Sequence, residues 1–376
     1  MMSSGVNAIA TLLAILLTTS FAITTSAFSV PPMATSYPRP LHPGGFSLPP
    51  MVEDLIPIAT TITSAAADKD SQSKDKILQK DLLLVRPPDM ESLWEWYANT
   101  KRQTDSDPSW GRIWPTALSL ARFTLQSLHS GEEEDGSIVI NLASELNEQD
   151  QDIVKQAIKA LQTTSHIIEL GCGLGLAGLS FAVSAATESK NIKRTVTFLD
   201  REPYALHCVM ASAAINNLAT APISSEQEVV AGGTPPLITA RSSIDDWTST
   251  DKNISYKDLQ LGALDYDNKQ TLILASDILY EPSSMDALAT KLRNLLHPTD
   301  GGYVLITDPE KERTSGCRSA LVESVKQTGG QVVMLPMPQP KNDGMAMNKS
   351  MLVESDVDID GNLAKTVLIV VHFNGA

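Results

Sequence analysis

The apolar positions of this chain fall into short runs separated by segments with a different period. A run around Ile167 and Ile168, spanning His166 to Leu170, reads as a buried strand. Six more runs of the same kind follow: Thr195–Leu199, Leu237–Ala240, Leu272–Ala275, Tyr303–Thr307, Val332–Leu335 and Thr366–Phe373. Between them lie helical patterns over residues 203–217, 283–296 and 315–327. Upstream, residues 150–162 place Ile153, Val154, Ala157, Ile158 and Leu161 on one stripe. Pro115 suits a first helical turn, followed by Leu118, Leu120, Ala121 and Phe123. Residues 90–100 also read as helix, with Trp94 and Tyr97 able to share a face. Strands alternating with helices predict an α/β fold, a mostly parallel sheet with helices on both faces. No helical pattern separates the last two runs, so they are expected to form an antiparallel hairpin across a long loop.

The N-terminal third has a different texture. Residues 6–27 are apolar and uncharged, with small residues toward Ala27, and resemble the core and cleavage region of a signal peptide. Phe28 follows directly, and residues 28–52 hold no acid, one Arg39 and several Ser, Thr and Pro. A signal peptide followed by such a segment resembles the bipartite presequence of complex plastids, which implies a plastid destination; secretion and a cytoplasmic location are the alternatives. Residues 53–75 read as linker, so the expected organisation is 1–27 signal-like, 28–75 transit segment and linker, and 76–376 one folded domain. Residues 219–236, 249–269 and 338–363 are polar or rich in Pro, Gly and Asp and read as surface insertions.

Charge narrows the partners. The net charge of −15 disfavours broad nucleic-acid binding, which needs a basic footprint. It favours a partner with a basic segment, such as a protein substrate. No stretch beyond 6–27 is long and apolar enough to span a bilayer, so no stable membrane association of the mature chain is expected. The three cysteines, Cys172, Cys208 and Cys317, are widely spaced without a Cys-x-x-Cys pair, so neither a disulfide framework nor a metal site is expected.

Candidate chemistry gathers where strands end. After Leu170 come Gly171, Cys172, Gly173 and Gly175, a strand–glycine loop–helix order that brings a helix N-terminus beside a ligand. Gly173-x-Gly175-x-x-Gly178 also satisfies the dinucleotide fingerprint. Asp200, ending the next strand, is placed to accept ribose hydroxyls, which fits NAD and S-adenosylmethionine (SAM) equally. Capping of the following helix is the alternative use of Asp200. Glu169, two residues before the first glycine, favours SAM, because dinucleotide loops have no need of that acid. Ser276, Asp277 and Tyr280 end the fourth strand, and Asp308-Pro309 ends the fifth.

In this order the motifs resemble those of the seven-β-strand, class I protein methyltransferases of the methyltransferase-like lysine methyltransferase group. The resemblance runs from Trp110 to the C-terminus. It is carried by Trp114-Pro115 with Leu120-Ala121, by Glu169-Leu-Gly-Cys-Gly-Leu-Gly175 through Gly178, and by Asp200 with Asn216-Asn217. Asp246-Trp247 and Asp277-Ile-Leu-Tyr280 complete it. Asp308-Pro309 is similar to the branch acting on the electron-transfer flavoprotein β-subunit, but Glu310 and Lys311 stand where that branch has Gly-Arg. The resemblance implies a Rossmann-like methyltransferase sheet and SAM as cofactor. Gly171, Cys172, Gly173 and Gly175, with Glu169, would sit at its methionine end. Asp200 would hold the ribose, Trp247 would pack near the adenine, Trp114 would close the pocket, and Ser276 would line its floor beside the sulfonium. Asp277 and Tyr280 are the catalytic candidates: a carboxylate and an aromatic face that could orient an incoming lysine for in-line attack. Three alternatives stay open: a small-molecule N-methyltransferase, an NAD-dependent oxidoreductase, and a SAM-binding module without catalysis.

Overall fold

A computed structural model describes residues 49–63, 75–99, 108–129, 146–187, 192–221, 238–248, 254–259, 271–337 and 365–375. The signal-like segment, the acidic stretch 131–135 and most of the three insertions lie outside the described residues.

Two strands come first, β1 (Val52–Thr63) and β2 (Asp75–Arg86), paired antiparallel over their whole length. Helices α1 (Met90–Asn99), α2 (Pro115–His129) and α3 (Glu148–Thr163) follow. The main sheet then begins with β3 (His166–Leu170), α4 (Leu176–Ala185), β4 (Arg194–Asp200) and α5 (Pro203–Ile215). It continues through a two-residue β5 (Ala219–Thr220), β6 (Ile238–Ile244), β7 (Thr271–Ser276), α6 (Met285–Leu295) and β8 (Gly302–Pro309). Helix α7 (Cys317–Gln327), β9 (Gly330–Pro336) and β10 (Thr366–Phe373) end the chain.

The strand order is β5-β6-β4-β3-β7-β8-β10-β9. The pairs from β5 to β8 are parallel, whereas β10 runs antiparallel to both of its neighbours. With β5 set aside, the strands of this sheet read 3-2-1-4-5-7-6 in order of appearance. This is the mostly parallel, Rossmann-like sheet of class I methyltransferases, with the C-terminal antiparallel pair expected from the sequence. Every residue of β3 and β4 is buried. A strand covered on both faces can carry apolar residues side by side, as Ile167 and Ile168 do in β3, while β4 alternates Val196 and Phe198 with the buried Thr195 and Thr197.

The order also fixes where a ligand can bind. The chain goes one way from β3 to β4 and the other way to β7, so the strand order reverses beside β3. A crevice opens there at the carboxyl ends of the strands.

The linker expected over 53–75 is corrected in its first part. Residues 52–63 form β1, and Ile56 and Ile58 are buried on one face of the hairpin together with Leu82 and Leu84 of β2. Two side chains of the α5 end satisfy the edge of β2. Asn216 accepts from Leu83 N at 3.2 Å and donates to Leu83 O at 2.6 Å. Ser212 Oγ accepts from Val85 N at 2.8 Å. An alternation of only two apolar positions in β1 was too brief to outweigh its Ala/Thr content. Among the described residues, no helix is long and apolar enough to cross a membrane.

Candidate functional site

The chain turns sharply after β3 because glycines occupy the left-handed positions. Gly171, Gly173 and Gly175 have φ of 61°, 49° and 70°. A side chain at Gly171 would place its Cβ 2.9 Å from Ile278 Cγ2 and 3.3 Å from the Trp247 ring. Both residues therefore close onto bare backbone. The loop is fastened to the end of β4: Cys172 N donates to Leu199 O at 3.0 Å, and Gly173 N donates to Asp200 Oδ2 at 2.8 Å.

Asp200 ties two loops together. Its second oxygen, Oδ1, accepts from Glu202 N at 2.9 Å. The cap of α5 is Glu202, whose carboxylate accepts from Tyr204 N at 3.2 Å. So Asp200 does not cap that helix. It presents a buried carboxylate to the cleft, and two oxygens with several lone pairs can accept further donors.

The adjacent strand contributes through a buried ion pair. Asp245, just after β6, meets Lys291 of α6 at 2.5 Å, and neither side chain is exposed. Lys291 also donates to Ile254 O, so it fastens the turn carrying Asp246 and Trp247 to the helix beneath. Trp247 is buried and lines the cleft.

At the other end of the cleft, Asp277 follows β7 with φ of 55°, a left-handed conformation that Asp tolerates better than most residues. Its amide donates to Thr307 O at 2.9 Å. Its carboxylate receives two contacts from Arg313, Nε to Oδ1 and Nη2 to Oδ2, both at 2.7 Å. Thr116 Oγ1 adds a longer contact of 3.4 Å. The Arg313 guanidinium lies 4.3 Å from the Trp114 ring centroid, and that of Arg112 lies 4.2 Å from it. The Trp114 indole is steadied by donation to Ser109 O at 3.2 Å. Tyr280 stands half-exposed at the mouth, and its carbonyl accepts from Thr314.

One cleft, with an empty volume of about 770 Å³ including its open mouth, thus brings together Trp114, Gly171, Cys172, Gly173, Asp200, Trp247, Ser276, Asp277 and Tyr280. Two expected cofactor contacts do not line it. Glu169 is buried behind the loop, and its Oε2 accepts from Gly178 N at 2.8 Å. Burial pushes its carboxyl up to about 8. Gly175 packs instead against Val209 and Phe198, which a Cβ there would strike at 2.8–3.2 Å. Both residues shape the loop from beneath. Cys172 is buried and its thiol is pushed well above the usual range by burial, so it is an inert loop residue.

Reading the sequence missed Arg112, Glu202, Ile278 and above all Arg313. Arg313 sits in a charged run, Glu310-Lys-Glu-Arg313, that has the ordinary look of a solvated loop. Only its place after Asp308-Pro309, at the carboxyl end of a sheet strand, could have marked it.

No family model matches the chain, and no curated protein matches it. Solved structures do. The chain is similar to a SAM-dependent methyltransferase from Methanosarcina mazei, at 13% identity and a TM-score of 0.34, over 60% of this chain and 98% of that one. It is similar to the [4+2]-cyclase SpnF, at 13% identity and a TM-score of 0.36, over 61% and 80%. It is also similar to P. horikoshii TYW2 in complex with MeSAdo, at 14% identity and a TM-score of 0.30, over 57% and 58%.

Proposed function

We propose that this chain is a SAM-dependent methyltransferase that transfers a methyl group to a lysine amine on a protein with a basic segment. The observation that carries the reading is the convergence of three strand ends on one cleft: the glycine loop, Asp200 and Asp277. Gly171 and Gly173 leave bare backbone where a Cβ would crowd Trp247 or the Trp110 carbonyl, a cradle suited to the methionine end of SAM. Asp200 supplies acceptor oxygens for ribose hydroxyls, and Trp247 an aromatic wall for the adenine. Bound SAM would supply an electrophilic methyl on a sulfonium.

The residues of the chain then have three tasks: hold the nucleoside, exclude water and align the acceptor nitrogen with the methyl carbon. Trp114, Ile278 and Tyr280 wall the acceptor end. The net charge of −15 favours a basic partner by long-range attraction. A plastid destination is part of this proposal and rests on residues 1–52 alone.

Two measurements test it. Thermal shift with SAM, S-adenosylhomocysteine and NAD should show stabilisation by the first two; stabilisation by NAD alone would overturn the cofactor assignment. Incubation of the protein and methyl-labelled SAM with plastid lysate should label proteins. Label confined to low-mass material would favour a small-molecule acceptor, and no transfer would favour a binding module.

A further inference from the structure

Asp277 is not an open carboxylate. Arg313 holds both of its oxygens in a planar, two-pronged contact, and the Asp277 side chain is only 5% exposed. The loop that carries Arg313 is fastened on three sides. Thr314 Oγ1 donates to Tyr280 O at 2.8 Å. Glu312 accepts from the amides of Gly316 and Arg318 at 2.9 and 2.8 Å. Arg318 grips Asp308 at 2.6 Å and also donates to the carbonyls of Pro309 and Glu310. An incoming ammonium would have to displace a guanidinium whose fork matches the carboxylate and which is already tethered. The ammonium is the more strongly hydrated cation, so that exchange is unfavourable.

Resting on the methyltransferase reading above, we propose that Arg313 is a positioning residue that selects the neutral form of the acceptor amine. The carboxylate of Asp277 keeps lone pairs that can accept an N–H from a neutral amine. Pairing with Arg313 cancels its pull on an ammonium, and the neighbouring guanidinium charge opposes protonation of the acceptor. The other charged groups facing this spot are Arg112 on the Trp114 ring and Asp308 at the end of β8. Asp308 is already paired with Arg318, and Glu312 is held by two amides. The Tyr280 phenol, Asp200, Arg201 and Glu202 are further ionisable groups that line the cleft.

A lysine ammonium first loses its proton to water. Its nitrogen lone pair then forms the N–C bond as the methyl carbon–sulfur bond breaks, giving a secondary ammonium and S-adenosylhomocysteine. The secondary ammonium later loses its proton to solvent.

The test compares the full-length chain with Arg313→Gln and Arg313→Lys, using methyl-labelled SAM and poly-L-lysine as the acceptor from pH 6 to 10. In Arg313→Gln the exposed carboxylate should hold the ammonium, so KM for poly-L-lysine falls severalfold. At the same time kcat near neutrality falls by roughly tenfold for each unit by which the acceptor's ionisation moves up, and recovers toward high pH. Arg313→Lys, which keeps the charge, should restore most of the wild-type profile, and all three proteins should bind SAM equally by calorimetry. An Arg313→Gln enzyme that transfers methyl with an unshifted pH profile would sink the role of Arg313 and leave the methyltransferase reading standing. A wild-type chain that binds SAM but never labels poly-L-lysine would overturn the lysine acceptor and this inference with it. Failure of the wild-type chain to bind SAM would overturn the methyltransferase reading itself.

Discussion

Lys291 Nζ stands 2.5 Å from Asp245 Oδ1, and water reaches neither side chain. Burial lowers the lysine and raises the aspartate relative to their ordinary values, each partly opposed by the other. Removing one partner leaves an uncompensated buried charge. Lys291→Met should therefore destabilise the fold by about 3–5 kcal/mol, read from denaturant unfolding. Adding Asp245→Asn should return more than half of that loss. Because the pair fastens the turn that carries Trp247, SAM affinity should fall in the single variant and recover in the double.

Glu169 gives a pH dependence with a definite sign. Its ordinary value is 4.5, and in the fold burial pushes it up to about 8. Between these values the folded chain binds one more proton than the unfolded chain, so stability is lost as pH rises through the window. Glu169→Gln cannot ionise. The unfolding free energy of the variant minus that of the wild type should therefore grow by about 1.4 kcal/mol per pH unit from about 4.5 to 8, then level off. A flat difference across that range would show that Glu169 ionises normally in the fold.

Two left-handed glycines separate the cost of strain from the cost of crowding. Gly316 has φ of 92° with open space where a Cβ would stand, whereas Gly171 has Ile278 at 2.9 Å. Gly316→Ala should cost about 1 kcal/mol of stability and leave SAM affinity unchanged. Gly171→Ala should in addition push Ile278 and Trp247 from the cleft, lowering SAM affinity by at least tenfold in calorimetry.

Asp277→Asn keeps a residue that tolerates the left-handed backbone while removing the charge that holds Arg313. SAM binding should stay within about twofold of wild type, while methyl transfer falls by on the order of a hundredfold through lost alignment. A loss of SAM affinity would instead place Asp277 with the cofactor.

How much of this could be read in the sequence follows from burial. Strands β3, β7, β8 and β10 are covered over most of both faces, and their apolar runs mark them in the sequence. Gly171, Cys172, Gly173, Asp200, Ser276 and Asp277 were legible because they end or follow strands of this sheet, whereas Trp114 and Trp247 were marked by the motifs they belong to. Glu169 shows the limit of that rule: its spacing from Gly171 marks it as important but cannot say which side of the loop its carboxylate takes. Arg313 shows another limit. Its contact with Asp277 spans 36 positions and depends on the path of one charged loop, which carries no period. The β1–β2 hairpin was hidden because β2 is met at Leu83 and Val85 by Asn216 and Ser212 side chains rather than by another strand.

That docking of Leu83 against Asn216 also bears on where the chain can be shortened. A chain begun at Met51 keeps the hairpin whole. A cut at the boundary read from sequence, just before Lys76, would fall inside β2 and strip away β1, uncovering Leu82 and Leu84 on the face that Ile56 and Ile58 share. The hairpin thus sets a limit on any shortened chain: one made for expression should begin no later than Met51.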